Sequence, residues 1–220
     1  GWLRAGDYEA AEGIYLALTN GSIAEVPESV RTAAFGNRAV VARSRGDLKL
    51  ALKFSRRAGR IERRNSGIGS QPWLVSRTNE ANYLFLRGKK RKATKYLTDS
   101  IRRSQRRLGS GHPATIRAQR IQVWMQLRDK TPQERIRVLE DYVEIAEPSL
   151  GSYSTEVLQS RYDLAIALVE AGDIGRAEEI TVDLLERYLT AFGDSSEGYR
   201  ATAELLSTVR SFDVPSERDR

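Results

Sequence analysis

Residues 35–58 read FGNRAVVARSRGDLKLALKFSRRA, and this stretch defines the unit that the rest of the chain repeats. Its first half is small and apolar and ends at a break, Gly46-Asp47. Beyond the break, apolar residues recur at helical spacing: Leu48, Ala51, Leu52, Phe54 and Ala58. The pattern predicts a helix, a tight turn and a second helix whose apolar face meets the first. Asp47 is the expected N-cap of the second helix, because its carboxylate can accept hydrogen bonds from free backbone amides.

The glycine break recurs along the chain. It is found at Gly6, Gly46, Gly88 and Gly172. These positions are 40, 42 and 84 residues apart, so one break is missing, and we expect it near residues 129–130. An alanine follows each of the four glycines after five residues, at Ala11, Ala51, Ala93 and Ala177. A side chain this small would let the two helices of a pair approach closely.

A second marker has the same period. A large apolar residue followed by glycine occurs every 42 residues, at Leu108-Gly109, Leu150-Gly151 and Phe192-Gly193. Because two independent markers share one period, we infer an array of helical repeats. Residues 197–211 are interpreted as one additional helix that covers the apolar face of the last pair.

These motifs resemble the tetratricopeptide repeats. The 42-residue period and the linker at residues 108–113 are similar to the longer, kinesin-light-chain type, which bacterial regulators use widely. The resemblance implies an all-α fold, a right-handed superhelical solenoid of antiparallel helix pairs, with about five repeats of which the first is truncated. It also implies a scaffold that binds proteins or peptides and serves a larger bacterial regulatory protein as its interaction or sensor module. A repeat fold alone does not identify the partner, since function depends on sites built on the fold.

The repeats predict how the chain is divided. We expect one solenoid domain over residues 1–211, followed by a polar, disordered tail at 212–220. The breaks between repeats are expected near residues 20–27, 65–73, 109–114, 149–155 and 193–197. Since the chain starts inside a repeat and without a methionine, we expect it to be part of a larger protein.

Composition limits the classes of function. The chain has no cysteine, which excludes a disulfide framework and thiolate chemistry. No apolar run approaches the roughly 20 residues that a membrane-spanning helix needs. Together with the absence of a signal peptide, these features lead us to expect a cytoplasmic protein without a membrane partner.

Charge is distributed unevenly along the sequence. Residues 1–130 contain 27 Lys and Arg and 10 Asp and Glu, a net charge of +17, whereas residues 131–220 contain 9 and 19, a net charge of −10. A basic N-terminal portion is typical of proteins that bind an acidic partner or nucleic acid. Basic and acidic ends could equally pair head to tail and produce a homo-oligomer.

The sequence contains none of the usual residue patterns of a catalytic site. The only histidine is His112, in a Gly-His-Pro linker, so neither a zinc site nor a Ser-His-Asp triad can be assembled from the usual residues. No glycine-rich phosphate loop is present. We therefore expect no catalytic residue, no metal and no cofactor, and interpret the chain as a non-enzyme.

The candidate binding residues follow from the resemblance. In tetratricopeptide arrays the first helix of each pair lines the concave groove, and a residue nine before the turn glycine, often asparagine, faces the ligand. Here those positions are Asn37, Asn79, Arg120 and Asp163, with Arg43, Asn82 and Tyr162 as neighbours on the same face. An asparagine can clamp a peptide backbone because it both donates and accepts hydrogen bonds. The alternative is that these are polar positions typical of the repeat, without a ligand.

A second candidate surface is the basic patch, defined as Lys89, Lys90, Arg91, Lys92, Lys95, Arg102, Arg103 and Arg106. Its first cations oppose the helix dipole, which prefers anions at a helix N-terminus. Three interpretations remain open: a solvated helix face, a docking site for an acidic protein or peptide, and a nucleic-acid site. The last would need a continuous basic groove with stacking aromatics, and these cations lie on a second helix without interleaved aromatics.

Overall fold

The computed structural model describes residues 8–23 and 25–212, and in this part of the chain all regular structure is α-helical. The helices are α1 (Tyr8–Asn20), α2 (Glu28–Ser44), α3 (Leu48–Asn65), α4 (Gln71–Leu86), α5 (Lys90–Leu108), α6 (Pro113–Leu127), α7 (Pro132–Leu150), α8 (Thr155–Ala171), α9 (Ile174–Phe192) and α10 (Glu197–Phe212). The predicted all-α class is confirmed. The break at Gly6, the side chain of Ala11 and the tail beyond Phe212 lie outside the residues whose structure is described.

Consecutive helices pack against one another. Contacts join α1 to α2, α2 to α3, α3 to α4 and α4 to α5, and likewise α7 to α8, α8 to α9 and α9 to α10. The contacts divide the chain into two compact units, with the boundary between Met125 and Gln126 near the end of α6. Each unit is described by itself below.

The turns within the pairs follow the glycine breaks. Gly172 ends α8 in the left-handed conformation, with φ of 82° and ψ of 8°, which glycine adopts without steric cost. Asp173 then caps α9 by accepting a hydrogen bond from the backbone amide of Arg176. Asp47 caps α3 in the same way, with the amide of Leu50 donating at 2.9 Å, which confirms the predicted N-cap.

The break inferred in the middle of the chain is also present. Helix α6 ends at Leu127 and α7 begins at Pro132, which brackets the expected residues 129–130. Thr131 and Glu134 form a capping box: the hydroxyl of Thr131 accepts from the Glu134 amide, and the Glu134 carboxylate accepts from the Thr131 amide. Here a capping box replaces the glycine-based turn.

The core of the first unit is built from helices α2 to α6. Its largest fully buried side chains include Phe35, Leu74, Tyr83 and Leu97, which pack into one continuous cluster. The alanines that follow the breaks, Ala51 and Ala93, are completely buried. Their burial supports the expectation that a small residue lets paired helices approach closely.

The second unit buries its own cluster between α8 and α9. Leu158, Leu184 and Tyr188 form its centre, and Tyr199 of α10 packs against them. Helix α10 contacts both α9 and α8, so the expected additional helix does cover the last pair. At Gly198 a Cβ atom would come within 2.2 Å of the Tyr188 ring, so α10 depends on glycine to dock this closely.

Two kinds of feature are absent from the described part of the chain. None of its helices is both long enough and apolar enough to cross a membrane. It also contains no group of three or more His, Cys, Asp or Glu side chains arranged to hold a metal ion.

Candidate functional site

One cleft of the first unit lies between α2 and α4. Its volume is about 400 Å³, and Asn37 of α2 and Asn79 of α4 both line it. Sequence spacing placed these two asparagines at equivalent positions of neighbouring repeats, and the structure brings them to one surface. We call this surface the α2–α4 cleft.

Small residues on α2 keep the cleft open. Ala33 and Gly36 line it one turn apart, and a Cβ atom added to Gly36 would meet nothing within 4 Å. Val40 of α2 and Val75 of α4 supply apolar surface at 42% and 51% exposure. Small residues therefore provide the space, and the exposed valines provide apolar contact area for a ligand.

The polar groups of the cleft are available for a ligand. Asn37 is exposed and Asn79 is half-buried. Among the described residues, neither side-chain amide has a hydrogen-bond partner. Because a carboxamide donates and accepts, two of them in one cleft can hold both the N–H and C=O groups of an extended peptide.

The other predicted groove residues of the first unit are placed differently. Arg43 is exposed in the last turn of α2, and Asn82 is half-buried on α4, but neither is part of the α2–α4 cleft. Burial raises the pKa of Tyr83, an effect that the nearby charge of Arg43 opposes. Arg120 of α6 is only 8% exposed and has an interaction partner within the protein.

The remaining two predicted residues lie on α8, in the second unit. Asp163 is half-buried and accepts a hydrogen bond from Nε2 of Gln159 at 3.2 Å. Tyr162 packs beside the cluster of Leu158, Leu184 and Tyr188. Burial raises the pKa of Tyr162, and the charges of Glu204 and Asp163 raise it further. A groove that includes residues of both units stays a prediction.

The basic patch lies entirely on α5 and its N-cap. All eight of its residues are exposed, while Ala93, Leu97 and Ile101 on the opposite side of the helix are buried. Arg102 forms an ion pair with Asp99 one turn before it. Lys89 occupies the N-cap and provides no side-chain hydrogen bond, in contrast to Asp47 and Asp173 in the equivalent turns.

Sequence reasoning missed a second cleft, formed by α3, α4 and α5. Its volume is about 210 Å³. Four arginines, two aromatic residues, one carboxylate and one glycine line it: Arg56, Gly59, Arg60, Arg63, Trp73, Arg77, Glu80 and Tyr96. We call it the arginine cleft. Its sequence signal was the spacing of the α3 arginines, which recur every three or four residues and therefore share one helix face.

Among the residues that the structure describes, Glu80 is the only carboxylate lining the arginine cleft, and it is already engaged. Its side chain is 8% exposed and accepts hydrogen bonds from Nε of Arg56 at 2.9 Å and Nη1 of Arg77 at 3.3 Å. The hydroxyl of Tyr96 also donates to it. The Arg77 guanidinium lies over the Tyr96 ring, 3.1 Å from its centre. Burial lowers the pKa of Arg77 to about 10, against the opposing charge of Glu80 and with the help of Arg103 and Arg56.

Comparisons with known proteins agree with this architecture. Residues 73–114 match the family model of the tetratricopeptide repeat. Two crystal structures of a Podosopora anserina kinesin light chain with nearly identical TPR-like repeats are similar. One has a TM-score of 0.64 at 18% identity and covers 86% of this chain and 89% of that chain. The other has a TM-score of 0.59 at 19% identity and covers 88% and 99%.

A third solved structure, BtubC (BKLC) from P. vanneervenii, has a TM-score of 0.59 at 16% identity and covers 97% of this chain and 78% of that chain. The search of curated proteins gives no match. At these identities the structural likeness establishes the fold. It confirms the resemblance to kinesin-light-chain-like tetratricopeptide repeats and the all-α repeat array. Such repeats generally mediate interactions between proteins.

Proposed function

We propose that this chain is a non-catalytic module that binds a protein or peptide through the α2–α4 cleft. The observation that supports this best is that Asn37 and Asn79, predicted independently from two repeats, line one cleft. Neither amide has a hydrogen-bond partner within the described residues. A polar pair free to donate and accept, beside exposed valines, suits the backbone and side chains of a peptide.

The proposal includes the wider biological setting. The resemblance to repeats of bacterial regulators favours an interaction or sensor module within a larger cytoplasmic regulatory protein. Arg43 and Asn82 are proposed to extend the binding surface beyond the cleft, and Arg120, which is largely buried, to support it from below. Tyr162 and Asp163 are proposed as a separate contact surface of the second unit.

The test is binding of peptides selected from a random library against the whole chain. We expect the double variant Asn37→Ala, Asn79→Ala to bind the selected peptides at least about tenfold more weakly, because up to four hydrogen bonds are removed. Its thermal unfolding should be unchanged, because neither amide bonds to another of the described residues. Gln133→Ala removes an exposed carboxamide from α7 in the second unit and is the matched control. Equal affinity of the double variant and the wild type would refute the role of the cleft.

Light scattering at low and high salt, with and without a random DNA duplex, tests the alternatives. A peptide-binding module is expected to stay at one mass under all four conditions. An increase in mass that occurs only with duplex, and that high salt reverses, would favour nucleic-acid binding by the basic patch. An increase in mass without duplex, also reversed by high salt, would favour pairing between the basic end of one molecule and the acidic end of another.

A further inference from the structure

Three helices of the second unit repeat three helices of the first in exact register. Helices α3, α4 and α5 begin at Leu48, Gln71 and Lys90, and α7, α8 and α9 begin at Pro132, Thr155 and Ile174. Each of these starts is displaced by 84 residues from its counterpart. Residues 84 apart therefore occupy equivalent positions in two local structures that can be compared side chain by side chain.

The comparison shows an inversion of charge on one helix. The positions of Arg56, Arg60 and Arg63 on α3 are taken on α7 by Glu140, Glu144 and Glu147. The neighbouring helices do not invert: Arg77 of α4 corresponds to Arg161 of α8, and Arg103 of α5 corresponds to Arg187 of α9. On the helix that precedes Arg161 the equivalent row is glutamate, whereas on the helix that precedes Arg77 it is arginine.

In the second unit one of these glutamates neutralises both arginines. Glu147 accepts hydrogen bonds from Nη2 of Arg161 at 2.6 Å and from Nη1 of Arg187 at 3.0 Å. Nε of Arg187 also donates to Asp183 at 2.7 Å. Glu140 accepts from Nη2 of Arg176 at 2.5 Å. The charges of this constellation are thus compensated within the chain.

The first unit lacks a carboxylate at the position of Glu147. Arg63 stands where Glu147 would be, and within the described residues neither Arg60 nor Arg63 forms an ion pair. Glu80 already accepts from Arg56, Arg77 and Tyr96. The arginine cleft, open among these side chains, has four guanidinium groups and one carboxylate along its walls.

We propose that the arginine cleft binds a carboxylate side chain from an acidic segment of a partner protein. This carboxylate takes the place beside Arg77 that the Glu147 carboxylate takes beside Arg161 in the second unit. The site shares no lining residue with the α2–α4 cleft, so it is a second contact surface beyond the proposed function.

The chemistry favours a carboxylate on a separate protein. Guanidinium groups bind carboxylates through charge-assisted hydrogen bonds, and in the second unit one carboxylate, Glu147, accepts such bonds from two arginines. Trp73 and Tyr96 add flat surfaces against which the stem of a glutamate can pack. A second copy of the chain is a poorer occupant, because the α7 carboxylates of Glu140 and Glu147 are paired within their own unit.

The test is fluorescence anisotropy of a labelled hexaglutamate peptide with the whole chain. Arg63→Glu places a carboxylate where the second unit has Glu147, and we expect at least about tenfold weaker binding of the peptide. Arg64→Glu makes the same change of charge at the next, exposed residue of α3, outside the cleft. It should weaken binding by less than about threefold, since exposed charges act only through screened attraction.

Each other outcome argues against the proposal. Equal weakening by both variants would show attraction by general charge, and no binding of hexaglutamate at low salt would exclude a carboxylate site. Stronger competition by inorganic phosphate than by glutarate, at matched ionic strength, would assign the cleft to phosphate groups. Peptides selected for the α2–α4 cleft should bind Arg63→Glu as they bind the wild type, which separates failure of this site from failure of the proposed function.

Discussion

Arg77 in α4 and Arg161 in α8 occupy the same position in two copies of one helical arrangement, but their surroundings differ. Arg161 has carboxylates on both neighbouring helices, from Glu147 of α7 and Asp183 of α9. Arg77 bonds to Glu80 of its own helix and lies over the ring of Tyr96. The repeat determines where a guanidinium lies, and the neighbouring residues determine which carboxylates compensate its charge.

Removal of Glu80 is the strongest test of this difference. Glu80→Gln keeps the shape but removes the carboxylate that accepts hydrogen bonds from Arg56 and Arg77, and leaves Arg77 only the more distant charge of Asp99. The Glu80 side chain is 8% exposed. Breaking a largely buried ion pair from one side is costly, so we expect the free energy of unfolding to fall by about 2–4 kcal/mol. Urea denaturation followed by circular dichroism measures it.

The control for Glu80→Gln is Glu179→Gln, which neutralises an exposed glutamate of α9. Its effect should stay within about 0.5 kcal/mol, as for most surface substitutions. Equal effects of the two variants would mean that the Glu80 network contributes nothing beyond ordinary surface charge.

Removal of Glu147 should have a smaller effect in the second unit. Glu147→Gln leaves Asp183 in place for both Arg161 and Arg187, and the Glu147 side chain is 25% exposed. We expect a loss of about 1–2 kcal/mol in the free energy of unfolding, measured in the same way. A loss larger than that of Glu80→Gln would reverse the order that the two settings predict.

Acid should remove the contribution of Glu147. Burial raises the pKa of its carboxyl, but hydrogen bonds from Arg161, Ser152 and Arg187 outweigh burial and hold it below its ordinary value of 4.5. The stabilisation is therefore present above pH 4.5 and is lost as the pH falls through the lowered pKa. The stability difference between wild type and Glu147→Gln should shrink as the pH falls below 4.5, and a constant difference would contradict the assignment.

The helix N-termini offer a further comparison between the units. Asp173 caps α9, whereas its counterpart Lys89 provides no cap for α5 and places a cation at the positive end of the helix. Lys89→Asp should raise the free energy of unfolding by about 1 kcal/mol, through a new hydrogen bond and a better interaction with the helix dipole. Lys95→Asp, on the same helix but one turn beyond the terminus, makes the same change of charge and should give less than half of this gain.

Much of the fold could be predicted from sequence because the signals that end one helix and begin the next are local. The Gly46-Asp47 pair specifies a turn and an N-cap by itself, and a period of 42 residues extends that unit along the chain. The same register explains why Asn37 and Asn79 could be assigned to one surface. Burial is not local, and the spacing that selected Arg120 could not show that neighbouring side chains would cover it.

The arginine cleft needed information that no single stretch contains. It joins Arg63 of α3, Arg77 of α4 and Tyr96 of α5, which are brought together only by packing. Its proposed role depends on a difference between two equivalent positions 84 residues apart, where the first unit has Arg63 and the second has Glu147. That difference is visible in the sequence. Only the structure shows that Glu147 forms ion pairs with two arginines, which Arg63 cannot form in the first unit.

Arg63→Glu, the smallest expected effect on stability, bears most directly on that difference. It gives the first unit the carboxylate that the second unit has, beside Arg77 and near Arg103. Because Arg63 is exposed, we expect a gain of only about 0.5 kcal/mol in the free energy of unfolding. Arg64→Glu, which lies outside the arginine cleft, should give no gain in the same urea titration. If Arg63→Glu raises the free energy of unfolding and also loses hexaglutamate binding, the cleft accommodates one carboxylate, supplied either by the chain itself or by a partner. A destabilised Arg63→Glu would show that the two units do not share this chemistry.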